Sequence, residues 1–186
     1  MQALSIAASF VIGGLVLIQL LGVNQITTHE LYRSGMERNT IEVAGAYAEL
    51  LEQDLRRVGL ALEDPRSGIE SADSTSITFL GDLDNDGAPD RIRYELGSRD
   101  EASNTSNPHD RILYRLVNGE PRRDTALGVT RFRLTFRSSS GSETTDWGAV
   151  RRIEYELSVA PLDPMDERDP ILTTIAGVVY PRNLAL

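Results

Sequence analysis

The sequence has no cysteine and no lysine, and its first 28 residues include no charged side chain. Without cysteine, neither disulfides nor thiolate chemistry can contribute to the fold or the function. All 19 basic residues are arginines, 28 residues are acidic, and the formal net charge is −9. Such an acidic balance argues against nucleic acid as a partner, because phosphates require a basic patch. The composition fits a halophilic protein, because high salt would screen the repulsion among its acidic residues, or a protein from a GC-rich genome.

Signatures of catalysis are also missing. The sequence contains no nucleophile elbow, no phosphate-binding glycine loop and no zinc motif. Its two histidines, His29 and His109, are far apart and lack a metal-ligand spacing. We therefore expect a protein that is not an enzyme.

The N-terminal third of the chain carries a helical pattern. An apolar run from Ala3 to Val23 passes without a proline into an amphipathic segment, and Gly59 follows where a helix would end. Apolar residues in that segment recur at spacings of three and four: Ile41, Ala44, Ala48, Leu51, Leu55 and Val58. The pattern predicts one helix from about Ala3 to Val58, roughly 80 Å long at about 1.5 Å per residue.

The apolar run itself has two interpretations. Its length suits a plain membrane anchor, and no basic residue precedes it as in a secretory signal peptide. Small residues, among them Gly13, Gly14 and Gly22, allow close approach of helix backbones. The second interpretation is therefore a segment that packs against copies of itself.

The rest of the chain has the pattern of a compact β domain. Several runs alternate between apolar and polar residues, which predicts an antiparallel sheet with one buried face. The predicted strands cover 76–80, 91–96, 111–117, 129–137, 151–159 and 172–180. The predicted fold class is α+β, with the long N-terminal helix packed on this sheet. The predicted divisions are an apolar transmembrane or filament-core half-helix (1–28), its amphipathic continuation (29–62) and a β-rich globular head (63–186).

An aspartate-rich turn is the strongest candidate site. Carboxylates at alternate positions before a glycine allow a tight loop to direct several oxygens at a hard cation such as calcium. The predicted ligands are four carboxylates and one backbone carbonyl: Asp82, Asp84, Asp86, Ala88 and Asp90. The match to an EF-hand loop is partial, because Arg93 stands where the bidentate acid belongs. The alternative is that Asn85-Asp86-Gly87 forms a hairpin turn with solvated acids.

These features together resemble the type IV pilin superfamily. The resemblance rests on the long apolar N-terminal helix, the aspartate-rich turn between two strands, the run Arg111-Ile112-Leu113-Tyr114-Arg115-Leu116 and the tail from Val178 to Leu184. The segments after the helix look like those of the larger minor pilins and J-type pseudopilins. Two features depart from the family. The chain shows no basic leader before Met1, and Ser5 stands where the family usually has a glutamate.

The resemblance implies a structural subunit of a type IV pilus-like extracellular filament that polymerises through its N-terminal helix. Its partners would be other copies of itself, the pilus assembly machinery and, before assembly, the inner membrane. The mature filament would lie on the cell surface and serve in cell adhesion. One alternative is a minor pilin or type II secretion pseudopilin that primes or caps a filament. A second alternative is a membrane-anchored periplasmic binding domain.

Overall fold

The computed structural model describes residues 2–121, 126–163 and 171–185. Its single α-helix within those ranges, α1, spans Gln2–Arg56 and contains 55 residues. The predicted continuous helix from Ala3 to Val58 is confirmed to within two residues at each end. Internal contacts divide the chain into two units, 1–38 and 39–186, so the helix contributes to both.

In the first unit, the described side chains of the apolar run are exposed to solvent. They include Phe10, Val11, Ile12, Leu15, Val16, Leu17, Ile18, Leu20 and Leu21, and each of these is at least half exposed. Within the described residues, no helix is both long enough and apolar enough to cross a membrane.

In the second unit, one face of α1 enters the hydrophobic core. Ala44, Ala48, Leu51 and Leu55 are spaced four, three and four apart, which places them on one side of the helix, and all four are buried. Ile41 also belongs to the predicted stripe, but it is 57% exposed and takes no part in the core.

The helix ends in a turn that only glycine can form. Gly59 has a φ of 78°, and a Cβ atom there would lie 2.7 Å from the carbonyl oxygen of Pro65. The Gly59 N–H donates a hydrogen bond to the carbonyl of Leu80 at 2.9 Å. The end of the helix is therefore attached through the main chain to the sheet at Leu80.

The sheet contains eight strands, all paired antiparallel: β1 (Ile69–Ala72), β2 (Ser76–Gly81), β3 (Asp90–Leu96), β4 (Arg111–Val117), β5 (Glu120–Pro121), β6 (Ala126–Ser138), β7 (Val150–Val159) and β8 (Thr173–Val179). The strand order is β1-β2-β3-β4-β6-β7-β8, with β5 paired to β4. All six predicted strands are confirmed. Strands β1 and β5 were not predicted, because IESA and EP offer too few apolar residues for an alternating pattern.

Alternation along the strands gives the sheet one buried and one open face. In β6, Phe132, Leu134 and Phe136 are buried, whereas Arg131 and Arg133 are exposed. The buried faces of β6 and β7 contribute to the same core as the inward face of α1. The expected antiparallel sheet with one buried side is confirmed.

The predicted fold class is nevertheless wrong. The predicted α+β fold, with a long N-terminal helix packed on an antiparallel sheet, is not what the structure contains, because the eight-stranded antiparallel sheet makes up most of the regular structure of the second unit. Only four buried core residues come from α1, and the strands and their connections supply the others. Helical periodicity was the clearest pattern in the sequence, but the number of core residues that an element supplies depends on its length in the sheet. The sheet is larger than predicted because it includes β1 and β5 and because β6 is longer than the predicted strand.

Candidate functional site

The aspartate-rich turn connects β2 to β3. Gly81 and Asp90 are the last residues paired across these strands, so the eight residues between them form the loop. Two of these residues have left-handed backbone conformations, Asn85 with a φ of 62° and Gly87 with a φ of 89°. Such conformations favour Asn and Gly, which explains why the chain can reverse direction here.

Asp82 shapes the loop from inside. It is only 5% exposed, and its two carboxylate oxygens accept hydrogen bonds from the backbone N–H groups of Asn85 at 2.7 Å and Gly87 at 3.0 Å. An aspartate that binds its own backbone in this way stabilises a turn without any ligand. The first of the predicted ligands therefore also has a structural role.

Three of the predicted ligands converge. One carboxylate oxygen from each of Asp82, Asp84 and Asp86 lies within 4.8 Å of the other two. A calcium ion lies about 2.3–2.6 Å from each of its oxygen ligands, so oxygens this close can bind one ion together. Asp84 and Asp86 are exposed, and each also accepts a backbone N–H, from Asp86 at 3.3 Å and from Ala88 at 2.8 Å. The donor set fits a hard cation, and nothing in it distinguishes calcium from another.

Asp90 stands apart from these three. Its carboxylate accepts hydrogen bonds from the backbone N–H of Leu83 at 3.1 Å and from the side-chain amide of Asn118 at 2.7 Å. The amide oxygen of Asn118 accepts the backbone N–H of Arg91 at 2.9 Å. Asp90 therefore ties the loop to the β4–β5 turn.

Sequence reasoning missed the residue that joins this loop to α1. Arg57 follows the last helical residue, and its Nη1 donates hydrogen bonds to the carbonyl oxygens of Asp82, at 3.1 Å, and Leu83. Beneath it, a Cβ atom at Gly81 would lie 2.3 Å from the Arg57 carbonyl oxygen. The loop and the end of the helix are therefore closely packed. A basic residue at a helix end was visible in the sequence, but its acceptors come from 25 residues away.

A buried polar cluster fastens α1 to the middle of the sheet. Arg115 Nε lies 2.6 Å from Asp54 Oδ2, and its Nη2 lies 3.2 Å from Oδ1, while the Tyr94 hydroxyl donates to Oδ2 at 2.6 Å. Arg115 Nε also donates to the Tyr94 hydroxyl oxygen at 3.1 Å. All three residues are buried, so the charges compensate one another inside the core.

The environment of this cluster shifts the pKa values of Tyr94 and Arg115. Burial, followed by the charge of Asp54 and its hydrogen bond, raises the pKa of the Tyr94 hydroxyl well above its usual range. Burial by itself lowers the pKa of Arg115, but the hydrogen bond to Asp54 and the nearby charges outweigh it, and the net shift is upward. Both groups therefore keep their protons at neutral pH, and the cluster serves the fold.

A second polar contact joins the helix to β7. The Tyr155 hydroxyl donates a hydrogen bond to Glu52 Oε1 at 2.8 Å, and burial together with this bond raises the pKa of the tyrosine. The ring of Tyr155 covers Gly177 of β8, where a Cβ atom would lie 2.4 Å from the nearest ring carbon. Strand β8 therefore needs glycine at this position.

Trp147 and His109 have structural contacts. Trp147 is partly buried and packs edge-on against Phe136, with ring centroids 5.3 Å apart. His109 lies in the loop before β4 and donates its backbone N–H to the side-chain oxygen of Asn107 at 3.0 Å. Among the described residues, the aspartate loop is the only group of acidic or histidine side chains arranged to hold a metal ion.

No protein-family model, no curated protein and no solved structure matches this chain.

Proposed function

We propose that this chain is a structural subunit of an extracellular filament of the type IV pilus kind, and that copies assemble through the N-terminal half of α1. One observation carries the proposal. From Phe10 to Leu21 the helix exposes nine large apolar side chains, and they lie on all sides of it rather than on one stripe. A surface of this kind requires a cover of lipid or protein.

The free energy available from such a cover is large. Full burial of one fully exposed large apolar side chain contributes about 1.5–3 kcal/mol. These nine are between 50% and 78% exposed, so covering all of them supplies on the order of 10 kcal/mol. Association costs about 4–15 kcal/mol in lost translational and rotational freedom, so a stable contact between helices has to cover most of this surface. In the filament, the apolar helices would bundle in the centre and the β domains would face outward.

Small residues favour other copies of the chain as the cover. Within the single chain, a Cβ atom added at Gly13, Gly14 or Gly22 would meet no atom within 4 Å. These glycines therefore serve no close contact inside the described subunit, and they leave the helix backbone accessible to a neighbour. A head-to-tail contact of this kind that does not close on itself produces a helical fibre.

The remaining expectations belong to the same proposal. Before assembly, the apolar segment would hold the subunit at the inner membrane, with the pilus machinery as its partner. The aspartate loop would bind a calcium ion with a structural role, because Asp82 already holds the turn through hydrogen bonds from the backbone of the same loop.

Electron microscopy of the purified full chain tests the proposal. After detergent removal, we expect fibres of uniform width for the wild type. Leu17→Asp places a charge on the apolar surface and is expected to abolish them. A wild type that stays monomeric, or that forms only closed oligomers or amorphous aggregates, would refute assembly as a filament by itself.

A matched pair of variants tests the close-packing argument. Gly14→Leu adds apolar surface but prevents close approach of helices, so we expect fewer fibres. Gly45→Leu makes the same change in the same helix, outside the apolar run, and its Cβ position is equally open. Fibres from Gly14→Leu in the same yield as from Gly45→Leu would show that the small residues do not form the contact.

A further inference from the structure

A cleft of about 500 Å³ lies where α1 ends. Its walls come from the last helical turn, the residues that follow it and the C-terminal 3-10 turn, and the lining residues are Gln53, Arg56, Arg57, Leu60, Arg182 and Asn183. Three of these six side chains are arginines, in a protein whose net charge is −9. The local charge is therefore opposite to that of the whole molecule.

Two of the three guanidinium groups have no carboxylate partner among the described residues. Arg56 forms an ion pair with Glu52 at 2.9 Å. Arg57 donates hydrogen bonds to the neutral carbonyl oxygens of Asp82 and Leu83, which orient the group without cancelling its charge. Arg182 is exposed, and its guanidinium group forms no ion pair or hydrogen bond with the part of the chain that the structure describes.

Neutral donors complete the lining. Asn183 Nδ2 donates one hydrogen bond to the carbonyl of Val58 at 3.2 Å, which fixes the amide at the edge of the cleft and leaves its second N–H free for a ligand. Gln53 lies on the helical wall, and its Nε2 donates to Glu49 Oε1 at 3.2 Å. Its second N–H is available in the same way.

A second cleft, of about 330 Å³, provides a contrast. It lies on the open face of β6, β7 and β8, where Arg133 is accompanied by Glu154 and Glu156. Acidic and basic side chains are mixed there, so an anion would meet repulsion as well as attraction. The excess of positive charge is a property of the cleft at the end of α1.

We propose that the cleft at the end of α1 binds an oxyanion, a carboxylate or a phosphate group, with Arg57 and Arg182 as the charged donors. A guanidinium group presents parallel N–H donors that match two oxygens of such a group, and these charge-assisted bonds are stronger than neutral ones. Arg57 is oriented in advance because its Nη1 is already held by the loop carbonyls. This site does not depend on filament assembly.

Isothermal titration calorimetry of the full chain in a nonionic detergent tests the site, with inorganic phosphate and succinate as separate probes. We expect saturable binding that weakens as salt is added, with the two probes competing for one site. The tighter probe identifies the oxyanion that the cleft prefers.

Arg182→Gln should weaken binding roughly tenfold or more, since it removes one charge-assisted contact. Arg133→Gln is the matched control, because it makes the same change of charge at an exposed arginine in the other cleft. Arg57→Gln should weaken binding as well, with its fold checked by circular dichroism. Absence of saturable binding by either probe, or equal binding by Arg182→Gln and Arg133→Gln, would overturn the proposal.

Discussion

Replacement of Asp54 by asparagine should destabilise the second unit more than any exposed substitution on the same helix. Asp54 accepts two hydrogen bonds from Arg115 and one from Tyr94, and the ion-paired side chains are only 5% and 10% exposed. Asparagine keeps the shape but removes the negative charge, so the guanidinium stays buried without a counter-ion. Breaking a buried ion pair in this way costs about 3–5 kcal/mol.

Thermal unfolding followed by circular dichroism measures the effect. For a unit of this size, about 1 kcal/mol lowers the melting temperature by roughly 2–4 °C, so Asp54→Asn should lower it by about 10 °C. Arg56→Gln is the control, because its ion pair with Glu52 lies at the surface and contributes about 0.5 kcal/mol or less. A drop for Asp54→Asn no larger than that for Arg56→Gln would refute the reasoning.

A triple variant separates the energy of the pair from the penalty of breaking it. Asp54→Leu, Arg115→Met and Tyr94→Phe together remove every polar group of the cluster and leave no buried charge. Buried ion pairs replaced by apolar residues of similar volume often lose little stability. We therefore expect the triple variant to melt above Asp54→Asn, and a lower melting temperature would contradict this explanation.

Three further predictions concern a metal, a titration and a close contact. Calcium at about 100 times its dissociation constant should stabilise the wild type by about 2.7 kcal/mol, and should not stabilise Asp84→Ala combined with Asp86→Ala, as measured by melting temperature with calcium and with chelator. Asp110 is 1% exposed, and the Thr105 hydroxyl nearby donates to backbone carbonyls, so no hydrogen bond of good geometry reaches the Asp110 carboxylate from the described residues. Burial raises the pKa of Asp110, and it outweighs the lowering effect of Thr105 and His109. A raised pKa means that protonated Asp110 stabilises the folded state relative to ionised Asp110. This stabilisation is fully present below the unfolded-state pKa of about 3.9 and is lost as the pH rises through the folded-state pKa. Asp110→Asn should therefore be more stable than the wild type by about 1 kcal/mol or more at pH 7, as measured by urea unfolding. The difference should vanish near pH 3.5, and a difference that stays constant across pH would contradict a destabilising charge at Asp110. Gly177→Ala should destabilise the protein by more than about 1 kcal/mol because its Cβ would meet the ring of Tyr155, and Tyr155→Leu in the same chain should reduce that loss.

Much of the strand pattern was predictable because burial of one face of a strand produces an alternation of apolar and polar residues. Phe132, Leu134 and Phe136 alternate with polar residues, and this alternation of apolar and polar side chains is typical of a half-buried strand. Strand β1 shows no such alternation, because it is a polar edge strand that joins the sheet through main-chain hydrogen bonds to β2. Main-chain pairing does not depend on side-chain type, so sequence reasoning underestimated the sheet and misassigned the fold class.

The buried cluster left a signal that the sequence analysis did not use. Arg115 stands between Leu113 and Val117 at an inward position of its strand, and Asp54 stands beside Leu55 on the inward side of α1. A charge at an inward position requires a partner of opposite sign. The identity of that partner could not be predicted, since Asp54 and Arg115 are 61 residues apart.

The sequence by itself determined the local features of this protein: the span of α1, six of the strands and the aspartates that approach one another within a single turn. Each of these depends on residues close together in the chain, where periodicity and turn chemistry act directly. Only the tertiary structure decided that Asp90 turns to Asn118, that Arg57 holds the aspartate loop and that Arg182 faces the end of α1. Those contacts join residues from distant parts of the chain, and they form only when the packing of helix and sheet brings their backbones together.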